Sequence, residues 1–406
     1  MQLILKNVGI IESADIQLNG LTVIAGNNDT GKSTIGKIAF SLTKAYENFE
    51  IDSEKEKNRI IRSGFREAYM LTRSSTSFLG KPTLRKFFDS ILHGDGEVPI
   101  NIPKIIEDGK NIINSEVANI ETKTRIIDLF NRLELIYKKE MAKIEKIVHA
   151  LSEILDSEFK SQIKNLESEN AEIEVYDGEN KIIRVIIKAN DTRVELEDKI
   201  FPFESSTFIE TPFVLQYKDV FEIEDTYHIE DLLAKLSNSA IYNEKEESFI
   251  SNIIKGKFYF NEKEEVFEFK KRINEKWVTL NLQNVASGIK NFGLLQLLEK
   301  SGEFDKNNLL VIDEPEVHLH PDWQVEYAKV LISLIKRGVR ILITSHSPYL
   351  IEALNKYSEK EELGSKTNFY LAEKQQNGKT IILDKTEEKD IIFERLSKPF
   401  ERLIFE

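Results

Sequence analysis

The sequence predicts an α/β fold: a mixed sheet at the core, with a helical lobe that carries a short β segment inserted into it. Three observations carry this. An apolar run, Leu21 to Ala25, opens onto the loop Gly26-Asn27-Asn28-Asp29-Thr30-Gly31-Lys32-Ser33-Thr34 and then a helix-like stretch as far as Tyr46. Two later runs, Leu309 to Ile312 and Arg340 to Thr344, read as buried parallel strands that end in polar residues. Between these halves, residues 49–204 turn to long helical periodicity and then to period-two alternation. The expected division is a head of residues 1–48 and 205–406 around an inserted lobe of residues 49–204.

Composition sets the limits. A chain of 406 residues exceeds one ordinary domain, and 41% apolar residues suffice for a proper core. The formal net charge of −13 is wrong for a generic polyanion binder. Nucleic acid stays open as a partner only through a local patch or a second protein. With no cysteine, disulfides, thiolate metal sites and cysteine nucleophiles are excluded, which fits the cytoplasm. The opening residues Met1 to Lys6 lack a signal-peptide layout. No apolar run reaches the roughly 18 residues needed to span a membrane, so no membrane partner is expected.

In chain order, Leu3–Leu5, Ala14–Leu18 and Leu21–Ala25 read as strands, with Asn19-Gly20 as a hairpin turn between the last two. Ile51–Leu71 and Thr83–Leu92 look helical, with a polar run at Ser74 to Ser77 and a break at Gly94-Asp95-Gly96. Arg59, Arg62, Arg66 and Arg73 form a basic cluster that reads as a solvated helix face. Residues 118–166 carry the clearest helical stripe, from Ile126 through Phe130, Tyr137, Met141 and Ile144 to Ile163. It suits either a helix packed on the core or a projecting arm. Ile173–Tyr176, Ile182–Ile187 and Arg193–Leu196 alternate as strands, with turns at Asp177-Gly178 and Asn190-Asp191. Thr207–Glu210 reads as the next strand, and residues 217–247 as an acidic, irregular segment. Lys257–Lys271 and Lys276–Leu282 read as a hairpin closed near Arg272–Glu275. A helix over Asn291–Leu298, a closing hairpin of Asn368–Ala372 with Thr380–Leu383, and a short helix over Asp390–Leu403 complete the pattern.

The loop Gly26 to Ser33 fits G-x-x-x-x-G-K-[ST] in the strand–loop–helix setting that motif needs. Its glycines let the backbone wrap a phosphate chain, and N–H groups at the helix start point at the anion. Lys32 can reach the β- and γ-phosphates and Ser33 can ligate Mg²⁺. The strand at Leu309–Ile312 ends in Asp313-Glu314. Carboxylates there sit where open α/β sheets bind ligands. Asp313 suits Mg²⁺, and Glu314 suits a general base or a water-positioner. His346, after the Arg340–Thr344 strand, can hydrogen-bond the γ-phosphate. Glu316, His318 and His320 are spaced by two, so they would share a face only in an extended chain; a structural turn is the better reading than a metal site.

Loop, Ser287-Gly288 helix start, Asp-Glu strand and His strand, in that order, resemble the ABC-type ATPase heads of SMC proteins. The form Asp313-Glu314-Pro315-Glu316-Val317-His318-Leu319-His320-Pro321 resembles the OLD-type and related stand-alone ATPases of prokaryotic defence systems. The resemblance covers roughly residues 1–48 and 205–375. It implies an ABC-type P-loop head that uses ATP and Mg²⁺. Lys32 and Thr34 would then contact phosphate. Ser33 and Asp313 would hold Mg²⁺, with Gln216 as the candidate glutamine that contacts it after a central strand. Glu314 would act on the attacking water and His346 on the γ-phosphate. Ser287, Gly288 and Lys290 would act on ATP held by a second subunit, in a homodimer or higher homo-oligomer. The family's Leu-Ser-Gly-Gly-Gln is here Ala286-Ser287-Gly288-Ile289-Lys290, a departure that argues against transporter-like sandwiching. The role implied is a nucleotide-controlled switch in an anti-phage complex, with a separate effector such as a nuclease. Its alternatives are an SMC-like clamp in DNA repair or chromosome maintenance, and a transporter ATPase. The roughly sixty residues after His346 are too few for the Toprim nuclease domain that often follows in OLD-type proteins.

Overall fold

Strands that read as unbroken apolar runs lie side by side in the parallel half of one large sheet. A computed structural model describes residues 1–75, 80–92, 101–139, 141–160, 162–188, 191–197, 199–216, 226–238, 249–274 and 276–405. The chain opens with β1 (Gln2–Val8), β2 (Ile11–Gln17), β3 (Leu21–Gly26) and α1 (Lys32–Ser75). Next come α2 (Pro82–Leu92), α3 (Ile102–Glu116), α4 (Ile120–Lys138) and α5 (Lys143–Phe159). Then β4 (Ala171–Asp177), β5 (Asn180–Lys188), β6 (Asp191–Leu196) and β7 (Ser205–Ile209) lead to α6 (Tyr227–Ser237) and α7 (Phe249–Ile254). After β8 (Gly256–Asn261), β9 (Val266–Ile273) and β10 (Lys276–Asn281) come α8 (Ser287–Lys300), β11 (Asn308–Asp313) and α9 (Pro321–Lys336). The last elements are β12 (Arg340–Ser345), α10 (Pro348–Lys360), β13 (Thr367–Lys374), β14 (Thr380–Asp384) and α11 (Lys389–Phe405).

Among the described residues, eleven strands form one sheet in the order β6-β5-β4-β1-β2-β14-β13-β3-β12-β11-β7. The run β13-β3-β12-β11-β7 is parallel throughout. Every residue of β3 is buried, and so are the last five of β11 and of β12, which is why these strands show no alternation. At the other end, β4 alternates buried and half-buried residues, the pattern of a one-sided antiparallel strand. The fold is therefore the mixed α/β P-loop head expected. Among the described residues, no helix is long and apolar enough to cross a membrane.

The chain divides into two compact units, residues 1–47 with 151–406, and residues 48–150. The boundary expected at 204 thus falls at 150. β1 would otherwise be a free edge, and β4 pairs along it from Gln2↔Tyr176 to Lys6↔Glu172, drawing β4–β6 into the main sheet. In the 48–150 unit, the later part of α1 packs with α2, α3 and α4 around Phe65, Phe88, Ile106, Ile126 and Phe130. The Phe65 and Phe130 rings lie 5.4 Å apart. Arg59, Arg66 and Arg73 lie on the exposed side of α1, as expected of a solvated face.

Other expectations need correction. Asn19-Gly20 is not a hairpin turn, because β13 and β14 lie between β2 and β3. Gly20 is instead a point of close backbone approach, where a Cβ would stand 2.2 Å from the Lys366 carbonyl oxygen. The two helices read around Asn48 are one continuous α1. The single stripe over 118–166 is two helices, α4 and α5. The residues between Lys138 and Lys143 number about one helical turn, so the three-and-four spacing carries across from α4 to α5. α3 has no counterpart in the sequence reading. The expected two-stranded hairpin at 257–282 is a three-stranded meander, β8-β9-β10. The polar run 74–77, the break at 94–96, the Asn190-Asp191 turn, the acidic segment and the Arg272–Glu275 closure lie wholly or partly outside the described residues.

Candidate nucleotide site

Sheet register assembles the site. Cα partners Ala372↔Gly26, Ser345↔Ala25, Asp313↔Thr344 and Ile312↔Ile209 bring the carboxyl ends of β13, β3, β12, β11 and β7 to one level. The loop from β3 runs straight into α1, whose first turn has no acidic residue, so its dipole end is open to an anion. Gly31 takes φ +77°, and a Cβ there would press within 2.8 Å of Ile10, so glycine is required. Asn27, Asn28 and Asp29 are exposed along the loop. Asp29 pairs with Lys374 at 2.7 Å. Thr30 Oγ1 and Lys32 Nζ both donate to the Asn27 carbonyl, each at 2.8 Å, which closes the loop on itself.

Lys32 is buried and its ammonium lies 3.2 Å from Glu314 Oε1. Glu314 adopts a left-handed backbone, φ 42° and ψ 53°, a costly conformation for a non-glycine residue. Its N–H is fixed by the Thr344 carbonyl at 3.1 Å and by Thr344 Oγ1 at 3.2 Å. His346 Nδ1 lies 3.5 Å from Glu314 Oε2 and 3.3 Å from Glu316 Oε1, ion-pair distances without the alignment of a hydrogen bond. His346, and then Lys32, hold the Glu314 carboxyl at about 2 against the opposing effect of burial. Glu314 in turn raises the His346 imidazole. Held this low, Glu314 is a weak base while it grips Lys32. A terminal phosphate that draws Lys32 away would restore its basicity.

Asp313 is buried, and Thr344 Oγ1 donates to its Oδ1. Burial pushes its carboxyl up, against the Thr344 and Ser33 hydroxyls, with Glu314 and Glu210 adding repulsion. A carboxylate met by hydroxyls and other carboxylates favours a cation. Among the described residues, no three His, Asp or Glu groups converge as a ready metal cage. Mg²⁺ does not need such a cage, since it takes one or two carboxylates and completes its shell with phosphates and water.

The structure brings Lys32, Ser33, Asp313, Glu314 and His346 together. It treats the remaining predicted residues differently. Gln216 ends a short 3₁₀ turn, Pro212–Gln216, and lines a separate groove with Glu268, Thr279 and Asn281. The side chain that stands beside Asp313 after β7 is Glu210. Ser287 and Gly288 open α8, whose first turn has no acidic residue and whose Ala286 cap donates no side chain. Lys290 is buried with its ammonium over the Phe213 ring at 5.6 Å, and burial lowers its pKa. It is thus not presented at the surface as trans contact with ATP would require.

Sequence reading missed Asn291, Thr344 and the part played by Glu316. Asn291 donates to the Pro315 carbonyl at 3.1 Å and so ties the start of α8 to the turn after Glu314. Glu316 Oε1 accepts from Ser345 Oγ, His346 N and Ser347 N at 2.7, 2.6 and 3.2 Å, which pins the His346 loop. With Glu316 turned inward, His318 edge-on to Phe213 and His320 capping α9, the metal reading of that trio finds no support.

Solved structures that the chain resembles include the SMC head domain from Thermotoga maritima, at 10% identity and TM-score 0.42, covering 94% of this chain and 97% of that one. Another is an Smc head bound to the C-winged helix domain of ScpA, at 11% identity and TM-score 0.43, covering 96% and 98%. No curated protein matches. The family model described as AAA ATPase domain matches residues 1–351, and the chain belongs to that family.

Proposed function

We propose that this ATPase is a nucleotide-controlled switch of the ABC type: ATP closes two copies head to tail, and hydrolysis releases them. The observation that carries the reading is the Lys32–Glu314–His346 constellation at the end of the parallel strands. The loop and the start of α1 cradle the phosphates, with Lys32 on the terminal ones. Ser33 and Asp313 hold Mg²⁺, which supplies neutralising charge to the phosphate oxygens. Glu314 receives or orients the attacking water, and His346 steadies the γ-phosphate side.

The shared site is supported by α8. Ala286 is exposed and Ser287 half-exposed, and the N–H groups of that first turn carry no side-chain cap. Such a helix start suits a phosphate that a single loop leaves open on one side. Two copies related by a two-fold operation would complete both sites. The wider role proposed is control of a separate effector, such as a nuclease, in an anti-phage complex. Its support is the Asp313–Pro321 sequence form alone.

Cysteines at Asn28 and Ala286 test the closure, since the chain has none of its own. In the Glu314→Gln background, ATP with Mg²⁺ should produce an inter-chain crosslink that Ser287→Arg abolishes. Ser287→Arg should also stop hydrolysis while leaving nucleotide binding intact. A Ser287→Arg chain that hydrolyses ATP normally would refute the shared site.

A further inference from the structure

One buried relay reaches the nucleotide cavity without a role in the reading above. The cavity of about 280 Å³ beside Asp313 and Glu314 is also lined by Glu210, Thr211 and Asn291. Glu210 is the first residue beyond β7, and the pairing Ile312↔Ile209 sets it level with Asp313. Its Oε2 lies 3.1 Å from His228 Nε2, and His228 Nδ1 lies 2.8 Å from Glu158 Oε2. Glu158 Oε1 also accepts from the His228 backbone N–H at 2.9 Å, and Lys37 Nζ stands 3.6 Å from Glu158 Oε2. The imidazole is buried against Phe208, ring centroids 4.7 Å apart, with Phe40 edge-on at 6.3 Å.

Both ring nitrogens of His228 therefore face carboxylates. A neutral imidazole has one N–H and satisfies one of them; only the imidazolium donates to both. The two carboxylates accordingly raise the His228 pKa against the opposing effect of burial. The ring is held between the two carboxylates, and Glu210 is the relay's outer end, its side chain 40% exposed. A fixed carboxylate at that place would repel a bare triphosphate. It is compatible with a nucleotide only if a cation comes too.

We propose that Glu210, oriented by His228 and Glu158, is a positioning residue for the nucleotide's divalent cation, which it holds through water. The proposal rests on the nucleotide reading of the site. Outer-shell partners of this kind typically change metal affinity about 10–100-fold when removed. Glu210→Gln keeps the shape and removes the charge. His228→Gln leaves the charge and removes its orientation.

The test is a Mg²⁺ titration of a fluorescent ATP analogue on the full chain in the Glu314→Gln background, with an EDTA arm. Adding Glu210→Gln should raise the half-saturating Mg²⁺ about 10-fold and leave the EDTA-arm affinity equal or tighter. Adding His228→Gln instead should give a smaller rise in the same direction. An unchanged Mg²⁺ requirement on adding Glu210→Gln overturns the proposal. So does an equal loss of affinity with and without Mg²⁺, which would make Glu210 a mere wall of the cavity. If neither the parental chain nor the background variant binds the analogue at any Mg²⁺ concentration, the nucleotide reading falls with it.

Discussion

Glu316→Ala should release the His346 loop, and its cost can be worked from three donors. Glu316 Oε1 accepts from Ser345 Oγ, His346 N and Ser347 N. Ser347 N keeps a second acceptor in Ser345 Oγ at 3.1 Å, and the Ser345 hydroxyl can rotate. The His346 N–H loses its acceptor outright, and one further donor is weakened. At about 1–3 kcal/mol per buried unsatisfied group, the loss is roughly 2–4 kcal/mol, reduced by the relief of a buried charge. The unit that holds Glu316 has about 300 residues, for which roughly 1.5 °C per kcal/mol applies, so the transition should fall on the order of 3–6 °C. Glu316→Gln keeps an acceptor oxygen and should stay within about 1 kcal/mol. Differential scanning calorimetry separates the two. Glu316→Ala melting with the parent, or Glu316→Gln falling as far as Glu316→Ala, would refute the anchoring role. ATP turnover should follow the same order, because His346 is positioned through this contact.

Further outcomes follow from the same geometry. Lys32→Ala should lose most affinity for an ATP analogue, as the buried ammonium facing the phosphates is removed; equilibrium binding equal to the parent would exclude the loop. Acid stability should also report the Lys32–Glu314–His346 grouping. The Glu314 carboxyl is held at about 2, below its unfolded value. Its contribution is therefore fully present above the ordinary carboxylate pKa and is lost as pH falls from there towards about 2. Melting temperature should fall more steeply across that window in the parent than in Glu314→Gln, and parallel profiles would contradict the pairing.

What the sequence discloses here is local. The loop, Asp313-Glu314 and His346 each follow an apolar run, and a buried parallel strand both creates that run and aims its last residues at the site. Strand order is not local. Nothing near Asn19 announces that β13 and β14, some 350 residues later in sequence, come between β2 and β3. Periodicity likewise cannot see the gap between α4 and α5, because about one missing turn preserves its phase. Gln216 and Glu210 show the same limit within the site. A resemblance selects residue type, and so selects the glutamine. Register selects position, and so places the carboxylate at the end of β7 beside Asp313. Lys290 is assigned by the resemblance to ATP held by a second subunit, whereas in the single chain Phe213 and the packing of α8 bury it.

The most direct test of this site as an ATPase centre is Glu314→Gln, measured for binding and single-turnover hydrolysis on the same preparation. The amide cannot take a proton from water and no longer forms an ion pair with Lys32. Binding of ATP with Mg²⁺ should be retained or tightened as Lys32 is freed, while hydrolysis slows by about 10²–10⁴-fold. A Glu314→Gln chain that hydrolyses ATP at the parental rate would contradict the assignment of Glu314 and the catalytic arrangement built on it.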